Sequence, residues 1–470
     1  MAFETPDLVI RGGTVVSAHG RAVADVAIVG ERIVAIGEDL PTGRTEVDAR
    51  GRYVLPGGVD SHAHIDQMSA AGIRTADDWE SATRSAALGG TTSVLAFAAQ
   101  HRDGSLGEAV ADYTRRAARG AVIDYGFHLM IGNPSSETLS RDLPAAIEAG
   151  HRSVKVFMSY DSLFLGDEQL LDVMSVAKEH GALICVHAET HGILSFASKR
   201  LIAAGKTAPV FQPQSHPRVA ELDAIERIIR MSDLLAQPVM IFHVSTSEGA
   251  EAIRRARGRG SQVYAETCPH YLLLDETVTD RPLPEAAKFI FSPPPRRPDD
   301  QQALWHALKL RDLTIVSSDH APYALTGEAK LKAGPNASFK QIPNGIPGIE
   351  LRQALMFDAI VQEGREDLEG FVALTATNPA RLYGLAPRKG QISIGADADI
   401  VVWNADVERV IDDKTTSDRT GYSPYAGRKV RGLPETVIRR GEILVRDGNL
   451  SAEPGSGKLL TRPPFSPQVF

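Results

Sequence analysis

The stretch GGVDSHAHID, Gly57 to Asp66, places His62 and His64 two residues apart at the end of an apolar run. In a β-strand, residues i and i+2 face the same side, so both imidazoles project from one face at the strand's end. Alone, the pair proves little, because His-x-His occurs by chance and reads more often as two surface histidines than as two metal ligands. The surrounding chain has to decide.

Outward from this stretch, β-rich segments alternate with helical ones. Eight strand candidates follow one another: YVLPGGVDSH, TTSVLAFAA, AVIDYGFHLMI, RSVKVFM, ALICVHAE, VMIFHVS, QVYAETC and LTIVSSDH. Between them lie LGEAVADYTRRAARG, DEQLLDVMSVAKEHG and VAELDAIERIIRMSDLL, with apolar residues at the i, i+3, i+4 spacing of a helix buried on one face. Eight β-then-α units over about 330 residues predict a (β/α)8 barrel of the α/β class. A doubly wound open sheet is the alternative, but no Gly-x-Gly-x-x-Gly turn follows the first strand. The GSGK at Gly455 to Lys458 lacks the spacing of a phosphate loop and reads as a turn in the tail.

The two ends have another texture. Residues 7 to 55 hold short alternating runs, DLVIRGGTVV and DVAIVGERIVAIG, and the pattern returns in GADADIVVWNADV and ETVIRRGEILVRDG. Together they predict one small β-domain built from both ends, over 1–55 and 388–450, around a barrel at 56–387, with a tail at 451–470.

Composition narrows the functions. With 43% hydrophobic and 23% charged residues, the 470-residue chain is an ordinary globular protein, and its net charge of -8 argues against a nucleic-acid surface. MAFETPDLVIRGG has neither a signal-peptide pattern nor a membrane-spanning run, which predicts a cytoplasmic protein without a membrane partner. Cys185 and Cys268 are the only cysteines, too few for a disulfide framework or a cysteine-rich zinc site. Any metal has to be held by histidine, carboxylate or something less usual.

Barrel chemistry collects at the C-terminal ends of the strands. Strand one ends in His62 and His64, strand four carries Lys155, strands five and six end in His187 and His243, and strand eight ends in Asp319. Singly, each has an ordinary reading: a hydrogen-bonded core histidine, a lysine paired with a carboxylate, or an aspartate capping a helix. Jointly, these charges on one rim repel one another unless a cation is present, and imidazole with carboxylate suits zinc and similar divalent metals. Lys155 is the odd member, because an ammonium beside divalent cations is strongly disfavoured. Carbamylation by carbon dioxide would turn it into an anion able to bridge two metals.

In this order on successive strands, His62-x-His64, Lys155, His187, His243 and Asp319 resemble the binuclear-metal amidohydrolase superfamily. With AVIDYGFHLMI, VKVFMSY, VHAE, ETCPHY, FSPPPR, SSDHAP, IPNGIPGIE and GADADIVVW running to GSGKLLTR, the chain resembles the hydantoinase and dihydropyrimidinase family over nearly its whole length. That resemblance implies a TIM barrel with a β-sandwich built from both chain ends, and two divalent metals, zinc first, with manganese, cobalt or iron as alternatives. It implies His62 and His64 on one metal, His187 and His243 on the other, carbamylated Lys155 between them, and Asp319 as ligand and proton shuttle. It also makes Tyr160 an oxyanion donor, with Ser292 and Asn344 holding the amide edge of a small cyclic ureide, largely through backbone groups. The implied reaction opens the ring of a hydantoin or dihydropyrimidine to an N-carbamoyl amino acid. Without the resemblance, Tyr160 reads as loop packing, Ser292 as a turn residue before Pro293 and Asn344 as a turn former.

Related activities separate on substrate-reading residues. Dihydroorotases carry an arginine two positions after the second histidine, where this chain has Asp66, whose charge would repel an orotate carboxylate. Allantoinase is the alternative enzyme. Non-enzymatic scaffold relatives have lost metal ligands, whereas all six are present here. The loop QMSAAGIRTADDW departs from the family's glycine- and proline-bearing version, leaving Met68, Ile73, Phe164 and Phe157 as candidate lining for the substrate's side group. The family implies a homotetramer, with a homodimer as alternative, and LLTRPPFSPQVF as a contact segment between subunits.

Overall fold

The computed structural model describes residues 5–69, 72–414 and 416–470. Two sheets account for the strands among these residues. The first comprises β1 (Leu8–Ser17), β2 (Gly20–Val29), β3 (Arg32–Gly37), β4 (Thr45–Asp48) and β5 (Tyr53–Pro56). The second comprises β6 (Gly58–Ala63), β7 (Thr91–Ala99), β8 (Asp124–Met130), β9 (Ser153–Phe157), β10 (Leu183–His187), β11 (Val239–Ile241), β12 (Val263–Thr267) and β13 (Ile315–Val316). The chain then returns to the first sheet through β14 (Ile400–Val410), β15 (Lys429–Arg439), β16 (Glu442–Arg446) and β17 (Asn449–Leu450).

β6 to β13 pair in chain order, each parallel to the next. A bridge between Ala63 and His320, with His64 N–H donating to His320 O at 2.7 Å, brings the last strand back to the first. That ring is a TIM barrel, and its unbroken order rules out the reversal that defines a doubly wound sheet. Every residue of these eight strands is buried, which is why they read as continuous apolar runs rather than alternating ones. The helices foreseen between them lie at Leu106–Gly120, Asp167–Glu179 and Arg218–Leu235.

Three strand candidates are shorter than their apolar runs. YVLPGGVDSH divides between the sheets: β5 pairs with β1 and β14, and β6 opens the barrel. The runs around His243 and Asp319 stop at Ile241 and Val316, because those two residues have φ of 41° and 46° and cannot continue an extended strand. The terminal strands form one hydrogen-bonded sheet rather than two, wrapped around its own core of Leu8, Ile10, Val26, Ile28, Val54, Ile400 and Ile438. Both cysteines are buried free thiols. Among the described residues no helix is long and apolar enough to cross a membrane.

The tail lies across its own barrel, at the end opposite the rim histidines. Leu460 N–H donates to Tyr125 O at 2.7 Å, and Phe465 N–H to Gly181 O at 2.8 Å. Arg462 is buried, donating to Phe127 O at 2.6 Å and Ser153 Oγ at 2.9 Å. GSGK is a turn in this segment, with Gly457 packed so closely on Ile123 O that a Cβ would lie 2.0 Å from it.

Candidate metal centre

The strand ends bring the rim residues into one cluster. His62 Nε2 lies 3.1 Å from Asp319 Oδ1, and His64 Nε2 lies 3.5 Å from the same oxygen. His187 Nδ1 faces His243 Nε2 at 2.9 Å, and ligand atoms of His62, His243 and Asp319 all lie within 4.8 Å of one another. Lys155 sits in the middle of β9, wholly enclosed, with its Nζ 4.1 Å from the Phe242 ring centre and 4.8 Å from that of Phe157. Burial lowers its pKa to about 7, only partly opposed by Asp319. Burial would raise the Asp319 carboxyl, but His62, His64 and His243 outweigh it and hold the group well below the usual range.

Three of the four histidines are turned by a second residue. His62 Nδ1–H donates to Glu266 Oε1 at 2.5 Å, and His64 Nδ1–H to Gln67 Oε1 at 2.8 Å, which leaves both Nε2 lone pairs pointing into the cluster. Glu189, fully buried, accepts from His187 Nε2 at 2.9 Å, His216 Nδ1 at 2.9 Å and Ser292 Oγ at 2.7 Å. Neither Glu189 nor Glu266 was singled out by the sequence reading. The signal was there: VHAE and AETC each put a carboxylate at the end of an apolar strand, the criterion that selected Asp319.

The three residues assigned to substrate also converge. The Tyr160 hydroxyl interacts with Ser292 and Asn344, and its ring centre lies 5.2 Å from that of His187. Burial, then the nearby Glu189 charge, raises the phenol well above its ordinary pKa. Tyr160, His243, Asp319 and Asp66 all have φ between 41° and 69°, so the backbone at this rim is held in a left-handed region that non-glycine residues seldom adopt.

The four lining candidates fall in two places, the end of β9 with the loop that follows it and the loop after β6. Phe157 and Phe164 share a backbone bridge and stack on His187 and His191 respectively, beside Tyr160. Met68 bridges to Arg74 in the loop after β6, where Ile73 packs with Tyr323 and Ala329. Asp66 is not a bare charge: its oxygens meet Arg74 and Arg116, each at 2.6 Å. The repulsion expected between Asp66 and an orotate carboxylate is therefore offset by two arginines.

Comparison with known proteins agrees with this geometry. The Amidohydrolase family model matches residues 53–444. D-hydantoinase of Ralstonia pickettii is 39% identical over 97% of this chain and 99% of its own. The structure of D-hydantoinase from a Bacillus sp. AR9 superposes with a TM-score of 0.94 at 41% identity, covering 98% of this chain and all of that one. Dihydropyrimidinase from Brevibacillus agri NCHU1002 superposes with a TM-score of 0.94 at 40% identity, covering 97% of this chain and 99% of its own. The chain belongs to the amidohydrolase family, in its hydantoinase and dihydropyrimidinase branch.

Membership of the amidohydrolases implies a binuclear divalent metal centre, and the donor set fits one. His62 Nε2 is buried and, despite its 3.1 Å approach to Asp319, is oriented so that no hydrogen bond forms. Two ligands that face a common cation take up such an arrangement. His243 presents Nε2 to His187 Nδ1 at 2.9 Å, two ring nitrogens facing one another where a second cation would lie. Neutral imidazoles with carboxylate suit zinc and its neighbours better than hard cations.

Proposed function

We propose that the chain hydrolyses the cyclic amide bond of hydantoins or dihydropyrimidines, giving N-carbamoyl amino acids. The observation that carries this is the approach of His62, His243 and Asp319 within 4.8 Å at the barrel rim, with Tyr160, Ser292 and Asn344 gathered beside them. His62, His64 and Asp319 would hold one metal, and His187 and His243 the other. Lys155, as its carbamate, would balance the charge between them. When bound, the two metals supply a Lewis acid and a water acidic enough to react at neutral pH.

The chain's own residues do the rest. Ser292 and Asn344 hold the ring's amide edge and orient one carbonyl toward the cluster. Tyr160 donates its hydroxyl proton in a hydrogen bond to that carbonyl oxygen as charge builds on it. Its raised pKa keeps it protonated, hence a donor, throughout the neutral range. Asp319, held ionised by the surrounding histidines, accepts a proton on a carboxylate oxygen and passes it to the departing ring nitrogen. Phe157 and Phe164 line the space for the substrate's side group, with Met68 and Ile73 contributing to it from the other loop. An uncharged lining discriminates weakly by size, so several 5-substituted rings should be accepted.

Zinc is the metal we assign first, with manganese, cobalt and iron as alternatives. We assign a cytoplasmic location and a homotetramer, with the docked tail as one contact surface. Sedimentation of the purified protein, full-length and cut after residue 458, tests the assembly. The reaction is tested by measuring metal content together with ring opening of dihydrouracil, hydantoin, 5-phenylhydantoin and allantoin. About two metals per chain, with turnover of the hydantoins or dihydrouracil, is the expected result. Turnover of allantoin alone would assign an allantoinase, and no metal after reconstitution would overturn the enzyme reading.

A further inference from the structure

Ser292 and Asn344 sit on two separate loops, one after β12 and the other after β13. One backbone hydrogen bond joins the loops directly, from Gly345 N–H to Ile290 O at 3.0 Å. Two side chains then bridge them, Lys330 from further back in the segment after β13 and Gln212 from the segment after β10. Lys330 Nζ donates to Ile290 O at 3.0 Å and to Pro343 O at 3.2 Å. Gln212 Nε2 donates to Phe291 O at 2.6 Å and reaches Asn344 Oδ1 at 3.4 Å. The bridges thus fall on successive residue pairs, 290 with 343 and 291 with 344, immediately before Ser292 and at Asn344 itself.

Both bridging side chains are enclosed, Lys330 at 0% and Gln212 at 1% exposure. Lys330 is hydrogen-bonded to two backbone carbonyls, beside a cluster of Ala287, Ile290, Leu331, Ala337 and Ile342. A buried lysine is costly to keep unless its donors are used. Burial brings its pKa to about 7, and a neutral amine has two N–H groups for the two carbonyls. The bridge therefore holds in either protonation state.

We propose that Lys330 and Gln212 are positioning residues that fix the separation of the Ser292 and Asn344 backbone edges, and so set the grip on the cyclic ureide. This rests on the reading of Ser292 and Asn344 as the groups that hold the ring's amide edge. Neither bridging residue touches the metal cluster, so their removal should weaken substrate binding while leaving metal content intact.

The test compares Lys330→Met, Gln212→Leu and the double variant with the full-length, metal-loaded wild type. Lys330→Met keeps chain length and removes both donors. KM should rise about tenfold or more in each single variant, with kcat changed much less and metal content equal to wild type. The double variant should fall short of the product of the single effects, because loops freed by one substitution are already free for the other. Lys330→Gln, which restores an N–H donor, should recover part of the loss. Independently of activity, amide exchange at Gly345 should quicken in Lys330→Met.

Folded Lys330→Met with unchanged KM and unchanged Gly345 exchange would overturn the proposal, as would equal loss of metal, kcat and KM without recovery in Lys330→Gln. Should Lys330→Met not fold, Gln212→Leu decides on the same readouts. If the wild type opens none of the cyclic ureides, the functional reading has failed. Gly345 exchange then decides the clamp alone.

Discussion

Lys155 sits where a permanent cation is costly, enclosed by Phe97, Phe157 and Phe242, with its nitrogen 4.1 Å from the centre of the nearest ring. Removing the amine removes the group we assign between the two metals. Lys155→Ala should lose bound metal and ring opening together while its circular dichroism stays that of the wild type; near-normal activity would exclude the bridging role. Tyr160 gives a contrasting case, because a hydroxyl that acts only as charge develops is not needed to hold metal. Tyr160→Phe should keep its metal and lose about 10²–10³ in kcat, the usual effect of one missing oxyanion donor. Steady-state kinetics with metal analysis separates the two variants, and unchanged kcat would remove Tyr160 from the mechanism. The gathering of the candidate ligands at one rim was legible in the sequence because a polar or charged group in or at the end of an apolar run is conspicuous. Ser292 and Asn344 were not, since backbone groups leave no mark on residue type, and they rested on family resemblance.

All eight barrel strands were legible as apolar runs, because burial on both faces selects for continuous apolar sequence. Their limits were not, and Tyr53–Ala63 shows why. Pro56, Gly57 and Gly58 are a local break signal, but they do not say which sheet each side joins. That comes from distant pairing, β5 with β14 and β6 with β7. Gly57 is the crossing point, donating its N–H to Asp399 O at 2.9 Å, and a Cβ there would stand 2.2 Å from Thr92 Oγ1. Thr92 is wholly buried in β7 and cannot move aside without shifting that strand. Gly57→Ala should therefore destabilise the protein by about 1–3 kcal/mol, the range for overpacking a filled core. Urea unfolding measures it, and a loss below about 0.5 kcal/mol would mean that β6 and β7 can part without strain.

At the scale of the whole molecule, barrel and terminal sheet are joined by charges that no local pattern reveals. Lys389 Nζ, at 0% exposure, meets Asp124 at 2.6 Å, Asp399 at 2.8 Å and Asp397 at 3.0 Å. Asp124 opens β8 of the barrel, while Asp397 and Asp399 precede β14 of the other sheet. The tail reaches the same point, with Lys458 N–H donating to Asp124 Oδ1 at 2.9 Å. Lys389→Met keeps the volume but takes from Asp399 its cation, while Asp397 keeps Arg32 at 2.6 Å and Asp124 keeps Arg440 at 3.3 Å; removing one partner of a buried ion pair costs about 3–5 kcal/mol. The pH dependence follows from linkage. Burial already raises the Asp399 carboxyl, and loss of Lys389 raises it further. Between the unfolded and folded pKa values the folded variant then binds more protons than its unfolded chain, so its stability climbs as pH falls. The gap in unfolding free energy between variant and wild type should therefore be smaller at about pH 5 than at about pH 8. A gap that is constant across that range would mean that Asp399 finds another partner once the lysine is gone, and that Lys389 is not what ties the two sheets together.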